Sequence, residues 1–283
     1  MKVLHIMPYL PVHLTSGGPI RVYHMLRILA QHHDVTVLAY GSEEDAYGLR
    51  RRLNAQLREI HLSTRPWPVR SMMSKRLGQF VALWTRHSFY HFWVRSQEMQ
   101  SEINRLLSEK EFDVVLSEFS IMGFFRLETD AVKILDVHDV EHDKVRRMWH
   151  NAHSPMRRFH YHREYKKFLR EELEVCGSQD AIFVTSVRDK ELLDAGVPQV
   201  AKFIVPNGVD TSYFKASDES SEPASLVFTG LMSYVPNYDG MLYFLDKIFP
   251  LIKKEIPQAK LYIVGNRPPR VLRRRASDSI IVT

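Results

Sequence analysis

The chain has 283 residues, 45% hydrophobic and 25% charged, with 39 Lys and Arg against 33 Asp and Glu for a net charge of +6. That length and ordinary composition suit about two globular domains, and the single cysteine, Cys176, excludes an internal disulfide and fits a reducing, cytoplasmic compartment. The basic excess favours anionic partners such as nucleotides or phospholipid, and no apolar stretch is long enough to span a bilayer.

An apolar run at residues 3–7 opens the chain. His5, Pro8 and Pro11 interrupt it and no small-residue cleavage site follows, so it reads as a first strand and not a secretory leader. Next comes Thr15-Ser16-Gly17-Gly18-Pro19-Ile20-Arg21, two glycines where the chain turns into a helix started by Pro19 and running through Ala30. A helix N-terminus presents N–H groups and the positive end of the dipole, and glycine lets the backbone approach an anion closely. Gly17 and Gly18 are therefore candidates for holding a phosphate, with a plain tight turn as the alternative. The spacing is neither the G-x-G-x-x-G of dinucleotide sites nor a P-loop.

Further strands are predicted at 35–40 and, after a polar helix, at 59–62. From Ile60 to Gln97 there is no acidic residue, while six Lys or Arg alternate with seven aromatics, among them Trp67, Trp84 and Trp93. If 71–95 is one helix, Met73, Leu77, Phe80 and Trp84 share a face opposite Lys75 and Arg86, the pattern of an interfacial helix or of one packed on its own domain. A second basic helix is expected from Ser154 as N-cap and Pro155 as first helical residue. Tyr161, Tyr165, Phe168 and Leu169 would line one side, and Arg163, Lys166, Lys167 and Arg170 the other. Together the two segments suggest peripheral contact with an anionic membrane. Neither carries a helix-turn-helix, zinc-module or RNA-binding signature, so no nucleic-acid partner is expected.

Short apolar strands at 113–116, 132–137, 181–185 and 202–205 complete an alternating strand and helix pattern, which implies a parallel sheet covered on both faces. The densest polar cluster, Asp136-Val137-His138-Asp139-Val140-Glu141-His142-Asp143, follows the strand at 132–137. Open parallel sheets place ligand-contacting groups at such strand ends, which marks His138. His138-x-x-Glu141-His142 also matches a zinc-peptidase motif, which requires both histidines on one helical face.

Val205-Pro206-Asn207-Gly208-Val209-Asp210 reads as a hinge, and residues 215–225 as a surface linker. The expected division is a first domain at 1–205, hinge and linker at 206–225, and a second domain at 226–283. The second restarts the pattern with strands at 226–229, 260–264 and 279–283 and a helix through Glu255 with Phe244, Ile248 and Ile252 on one face. Glycines again follow its strands, in Phe228-Thr229-Gly230-Leu231-Met232 and Ile263-Val264-Gly265-Asn266. The fold class is thus α/β, with two Rossmann-like halves.

Taken together, the Gly17-Gly18 loop with Arg21, the strand-end His138, the hinge Val-Pro-Asn-Gly-Val-Asp, and Phe-Thr-Gly-Leu-Met followed by Val-Pro-Asn-Tyr-Asp-Gly resemble the retaining glycosyltransferases of family 4, with GT-B architecture. The resemblance implies transfer of a sugar from a nucleotide-sugar donor to a glycan or lipid-linked acceptor, with no metal cofactor. The N-terminal domain would bind the acceptor, through Arg21, Asp139 and Glu141. His138 would contact the transferring sugar, and Gly17, Gly18, Gly230, Gly265 and Asn266 would line the donor site. The family's later glycine-rich loop and paired glutamates have no counterpart before Thr283, and Leu231 to Pro236 lacks the Arg and Lys that many members carry there. The expectation is a C-terminally truncated member with impaired activity. A non-catalytic acceptor- or membrane-binding module, a sugar-nucleotide epimerase and a zinc hydrolase are the competing readings.

Overall fold

The computed structural model describes residues 1–54, 57–64, 72–152, 154–215 and 221–283, leaving aside the side chains of 72–76 and 93. Trp67 and Ser71, the side chains of Met73, Lys75 and Trp93, and part of the predicted linker lie outside the described residues. The chain divides into two compact units, one of Met1–Leu14 with Gly18–Gly208 and one of Thr15–Gly17 with Val209–Thr283.

In the first unit, β1 (Lys2–Met7), β2 (Asp34–Tyr40), β3 (Glu59–Ser63), β4 (Val114–Glu118), β5 (Val132–Val137), β6 (Ala181–Val184) and β7 (Ala201–Ile204) form one sheet in the order β3-β2-β1-β4-β5-β6-β7. Every pairing is parallel. Side chains alternate across the sheet with period two. Val3, Met7, Val35, Val37 and Ala39 build the core on one face, and Leu4, Ile6, Leu38 and Tyr40 the core on the other. Burial on both faces explains why the strands read as near-continuous apolar runs. Strand order reverses between β1 and β4, which puts the ligand crevice of such a sheet at their C-terminal ends.

The helices of this unit are α1 (Gly17–His32), whose first residue falls in the other unit, α2 (Glu43–Arg52), α3 (Met72–Trp84), α4 (Phe89–Val94), α5 (Gln97–Glu109), α6 (Glu141–His150), α7 (Pro155–Gly177) and α8 (Val187–Asp194). Helix α1 begins at Gly17, two residues ahead of the proline that the sequence marks as its start. The single helix expected over 71–95 is instead two. Ser88 caps α4 by accepting from the His91 N–H, and Glu171 and Glu164 of α7 accept from the Ser88 and Phe89 N–H groups at 3.0 and 2.9 Å. Those carboxylates hold the first amides of a new helix, so the chain breaks between Trp84 and Phe89. In α7, Lys167 is not on the solvated side. It lies next to Phe168 and one turn from Glu164 and Glu171, and its buried Nζ donates to the Ala82 carbonyl and sits 3.5 Å from Glu164.

The second unit pairs β8 (Ser225–Thr229), β9 (Lys260–Val264) and β10 (Ile280–Val282) in the parallel order β10-β9-β8. The helix predicted through Glu255 is interrupted: α9 (Val235–Tyr243) passes through a π-helical turn at Phe244–Ile248 into α10 (Phe249–Glu255). Pro250 has no N–H and its ring would clash with the carbonyl four residues back, so the helix widens before it. Met241, Leu245 and Phe249, at successive i, i+4 positions, are its buried residues, with Phe244 and Ile252 packed beside them. A short helix, α11 (Arg270–Arg273), precedes β10.

Candidate functional site

The register of the first unit's sheet gathers one polar cluster. Glu118 opposes Asp136 across β4 and β5, and His5 opposes Leu116, two residues before Glu118. His138 lies two residues beyond Asp136. Period-two alternation therefore sets His5, Glu118, Asp136 and His138 on the same face, the one covered by α1.

Within this cluster, Glu118 is fully buried and takes two imidazoles at once. His5 Nε2 lies 2.6 Å from Oε1 and His138 Nε2 lies 2.7 Å from Oε2. Against an ionised carboxylate, each of these nitrogens carries the proton. Burial alone would push the Glu118 carboxyl up, but the hydrogen bonds from His138 and His5 and their charge outweigh it and hold it down to about 2. Asp136 goes the other way: burial pushes it up, opposed by the Arg21 hydrogen bonds, and the neighbouring Glu118 charge adds to the rise.

Arg21, on α1, grips Asp136 in a fork, Nε to Oδ2 at 2.9 Å and Nη2 to Oδ1 at 2.8 Å. Its Nη1 reaches the Val205 carbonyl at 2.8 Å and Asn207 Oδ1 at 3.2 Å. The guanidinium thus ties the first helix, the fifth strand and the predicted hinge residues together, and most of its five donors are already engaged.

Phe119 follows Glu118 with φ 64°, a left-handed conformation that is uncommon for a bulky residue and costs on the order of 1–3 kcal/mol. It brings the ring to 3.8 Å from the His138 ring and 5.9 Å from that of Tyr9. Gly18 closes on the same group: a Cβ there would sit 2.9 Å from the Tyr9 hydroxyl and 3.2 Å from the Phe119 ring, whereas one at Gly17 would meet open space. Burial and the nearby Glu118 charge push the Tyr9 phenol up.

The remaining residues of the strand-end cluster face elsewhere. Helix α6 starts at Glu141, so His138 lies outside it. The His142 Nδ1 bonds Glu172 at 2.8 Å, and the same buried carboxylate accepts from the Glu141 and His142 amides and the Ser120 hydroxyl. The two histidines of the H-x-x-E-H motif are thus oriented by different carboxylates, which is not the one-face geometry the zinc-peptidase motif needs. Glu141 Oε1 holds Lys144 at 2.9 Å while Oε2 is buried without a partner, and burial pushes this carboxyl up. Asp139 is exposed. Of the three residues expected to hold an acceptor, only Arg21 belongs to the His138 cluster.

In the second unit the two glycine loops meet. Gly230 N–H donates to the Val264 carbonyl and Met232 N–H to that of Asn266, both at 3.1 Å, at the C-terminal ends of β8 and β9. A Cβ on Gly265 would lie 1.7 Å from the Gly230 carbonyl oxygen, so this position excludes any side chain. Asn237 Nδ2 caps the Leu231 carbonyl at 3.1 Å and braces the loop beneath α9.

Sequence reasoning left out His5, Tyr9, Glu118 and Phe119. The signal for Glu118 was a carboxylate at the C-terminal end of an apolar strand, Val-Val-Leu-Ser-Glu, and for His5 a polar residue inside a buried one.

No family model matches the chain. It is 23% identical over 272 residues to an uncharacterized 44.6 kDa protein in the cps region of Klebsiella pneumoniae, covering 94% of this chain and 65% of that one, so it spans just under two thirds of that relative's length. Among solved structures it is similar to TarM, with a TM-score of 0.58 at 8% identity over all of this chain and 76% of the other. It is also similar to Arabidopsis thaliana UGT89C1 complexed with UDP-L-rhamnose, with a TM-score of 0.52 at 15% identity over 100% and 68%. A third is a Polygonum tinctorium UDP-glucosyltransferase capable of glucosylating indoxyl, with a TM-score of 0.51 at 10% identity over 99% and 70%. The fold is α/β and matches that of GT-B glycosyltransferases.

Proposed function

We propose that the chain acts in transfer of a sugar from a nucleotide-sugar donor to a glycan or lipid-linked acceptor, with retention of configuration, as a relative of the family 4 glycosyltransferases. The observation that carries the reading is the His5–Glu118–His138 assembly at the strand-order switch of a sheet whose fold neighbours include proteins with nucleotide sugars bound. Glu118 occupies Nε2 of His138, which leaves Nδ1 to meet a sugar hydroxyl. In the neutral imidazole, a proton held on Nε2 by a buried carboxylate makes Nδ1 the acceptor.

In this reading the first unit takes the acceptor, with His138, Arg21, Asp139 and Glu141 on that side. Gly230, Gly265 and Asn266 in the second unit take the donor, and the Gly17-Gly18 turn at the α1 N-terminus is by itself a candidate contact for its phosphates. Charge developing on the leaving diphosphate is met by backbone N–H groups and a helix dipole rather than by a metal ion. The setting is cytoplasmic, with peripheral contact to an anionic membrane.

Incubation of the purified chain with a panel of nucleotide sugars, followed by mass spectrometry of released nucleoside diphosphate, tests this. His138→Ala is expected to slow release on the order of 10²-fold. Release that is unaffected by that change would refute the role of His138.

A further inference from the structure

Helix α3 is inverted relative to a helix packed on its own domain. Gly78 and Ala82, one turn apart, are buried, while Leu77, Phe80, Val81 and Trp84 are 51, 60, 46 and 79% exposed. Those four occupy an arc of roughly 100° on a helix of about 3.6 residues per turn. A core-facing helix turns its large apolar residues inward. Here the small ones go in, and polar contacts from α7 hold the seam: Lys167 Nζ to the Ala82 carbonyl, and Arg170 Nη2 to the Arg86 carbonyl at 2.7 Å.

A basic stripe runs beside it on α7. Phe159, Arg163, Lys166 and Arg170 share one side of that helix. Arg163 stands over the Phe159 ring at 5.8 Å, and Met156 and Phe159 are exposed. The acidic residues within these turns, Glu164, Glu171 and Glu172, are all buried and held by amides, those of Phe89, Ser88 and His142. Apart from the buried Lys167, positive charge therefore goes out and negative charge in. Glu174, one turn past Arg170, is the first exposed acid.

We propose that this face docks on the surface of an anionic lipid bilayer. Helix α3 lies in the interfacial plane with Leu77, Phe80, Val81 and Trp84 at the acyl boundary, and Arg86, Arg163, Lys166 and Arg170 reach lipid phosphates. Among the described residues no helix is long and apolar enough to cross a membrane. A second copy of the chain is the poorer occupant. A two-fold interface sets a patch against itself, and these cations would then oppose one another. The inference gives a surface to the membrane contact in the reading above and depends on none of its sugar chemistry.

The test is sedimentation of the full chain with vesicles of phosphatidylcholine, with and without phosphatidylglycerol and with no sugar donor present. The chain is expected to bind the anionic vesicles and to be released by high salt. Phe80→Ser with Trp84→Ser should weaken partitioning about tenfold or more. Arg163→Glu with Lys166→Glu should weaken it to the level on neutral vesicles. Phe80, Trp84 and Lys166 are exposed and Arg163 is half-buried, so the melting temperature of each variant should stay close to the parent's. Three results would overturn the proposal: no sedimentation with anionic vesicles, binding by both variants equal to the parent's, or a dimer in light scattering that Phe80→Ser with Trp84→Ser dissociates.

Discussion

His138 Nε2 lies 2.7 Å from Glu118 Oε2, and the other oxygen of that fully buried carboxylate is held by His5. One carboxylate therefore fixes two rings, and removing its charge should disturb both. Glu118→Gln places an amide against two Nε2–H donors, only one of which it can accept. The expected result is a loss on the order of 1–3 kcal/mol in chemical denaturation. It should also lower turnover more than donor affinity, because His138 loses its orientation while the donor loops stay intact.

Arg21 is buried against Asp136 with a two-bond fork, and truncating one partner strands the other charge. Arg21→Ala is expected to cost about 3–5 kcal/mol. Arg21→Lys keeps the charge but loses the fork and the reach to Val205 and Asn207, so it should fall between the two in thermal melts.

Gly17 and Gly18 separate a ligand role from a packing role. Gly18→Ala drives a methyl against Tyr9 and Phe119 and should destabilise the fold, while Gly17→Ala meets open space and should melt like the parent. If the α1 N-terminus holds the donor diphosphate, Gly17→Ala weakens nucleotide-sugar binding in calorimetry without touching stability. Unchanged affinity would assign that turn to structure alone.

His91 and Glu118 are among the groups that shape the acid limb of stability. His91 is driven down to about 4, first by burial and then by the charge on His87. The unfolded chain takes up a proton near the ordinary histidine value of 6.5 while the folded one does not, so stability present above that pH is lost as the pH falls toward 4. Glu118 adds a second loss, beginning near the ordinary value of 4.5 and complete near 2, where the folded carboxyl finally protonates. Asp136, pushed up by burial, works in the opposite sense and is favourable on the acid side. His91→Gln should flatten denaturation free energy between pH 6.5 and 4, and proton NMR of the His91 ring should show it neutral at pH 5.

The seven strands of the first unit were legible because burial on both faces leaves short apolar runs between turn residues, and His138 stood out at the end of one of them. Its partners did not. Glu118 and His5 lie 113 residues apart in sequence, and only the β1–β4 pairing brings them together. The break before α4 was hidden because its amides are held by Glu164 and Glu171, 75 and 83 residues away. Lys167 looked solvated because its neighbours in sequence are basic, while the carbonyl it serves belongs to α3.

The account's central claim is that His138, oriented by Glu118, serves transfer from a nucleotide sugar. The most direct measurement is acceptor-dependent release of nucleoside diphosphate from a donor panel, compared among the parent chain, His138→Ala and Glu118→Gln. The account predicts release from a particular donor that falls on the order of 10²-fold in the first variant and to a lesser degree in the second. No release from any donor, or equal rates in all three proteins, would contradict it.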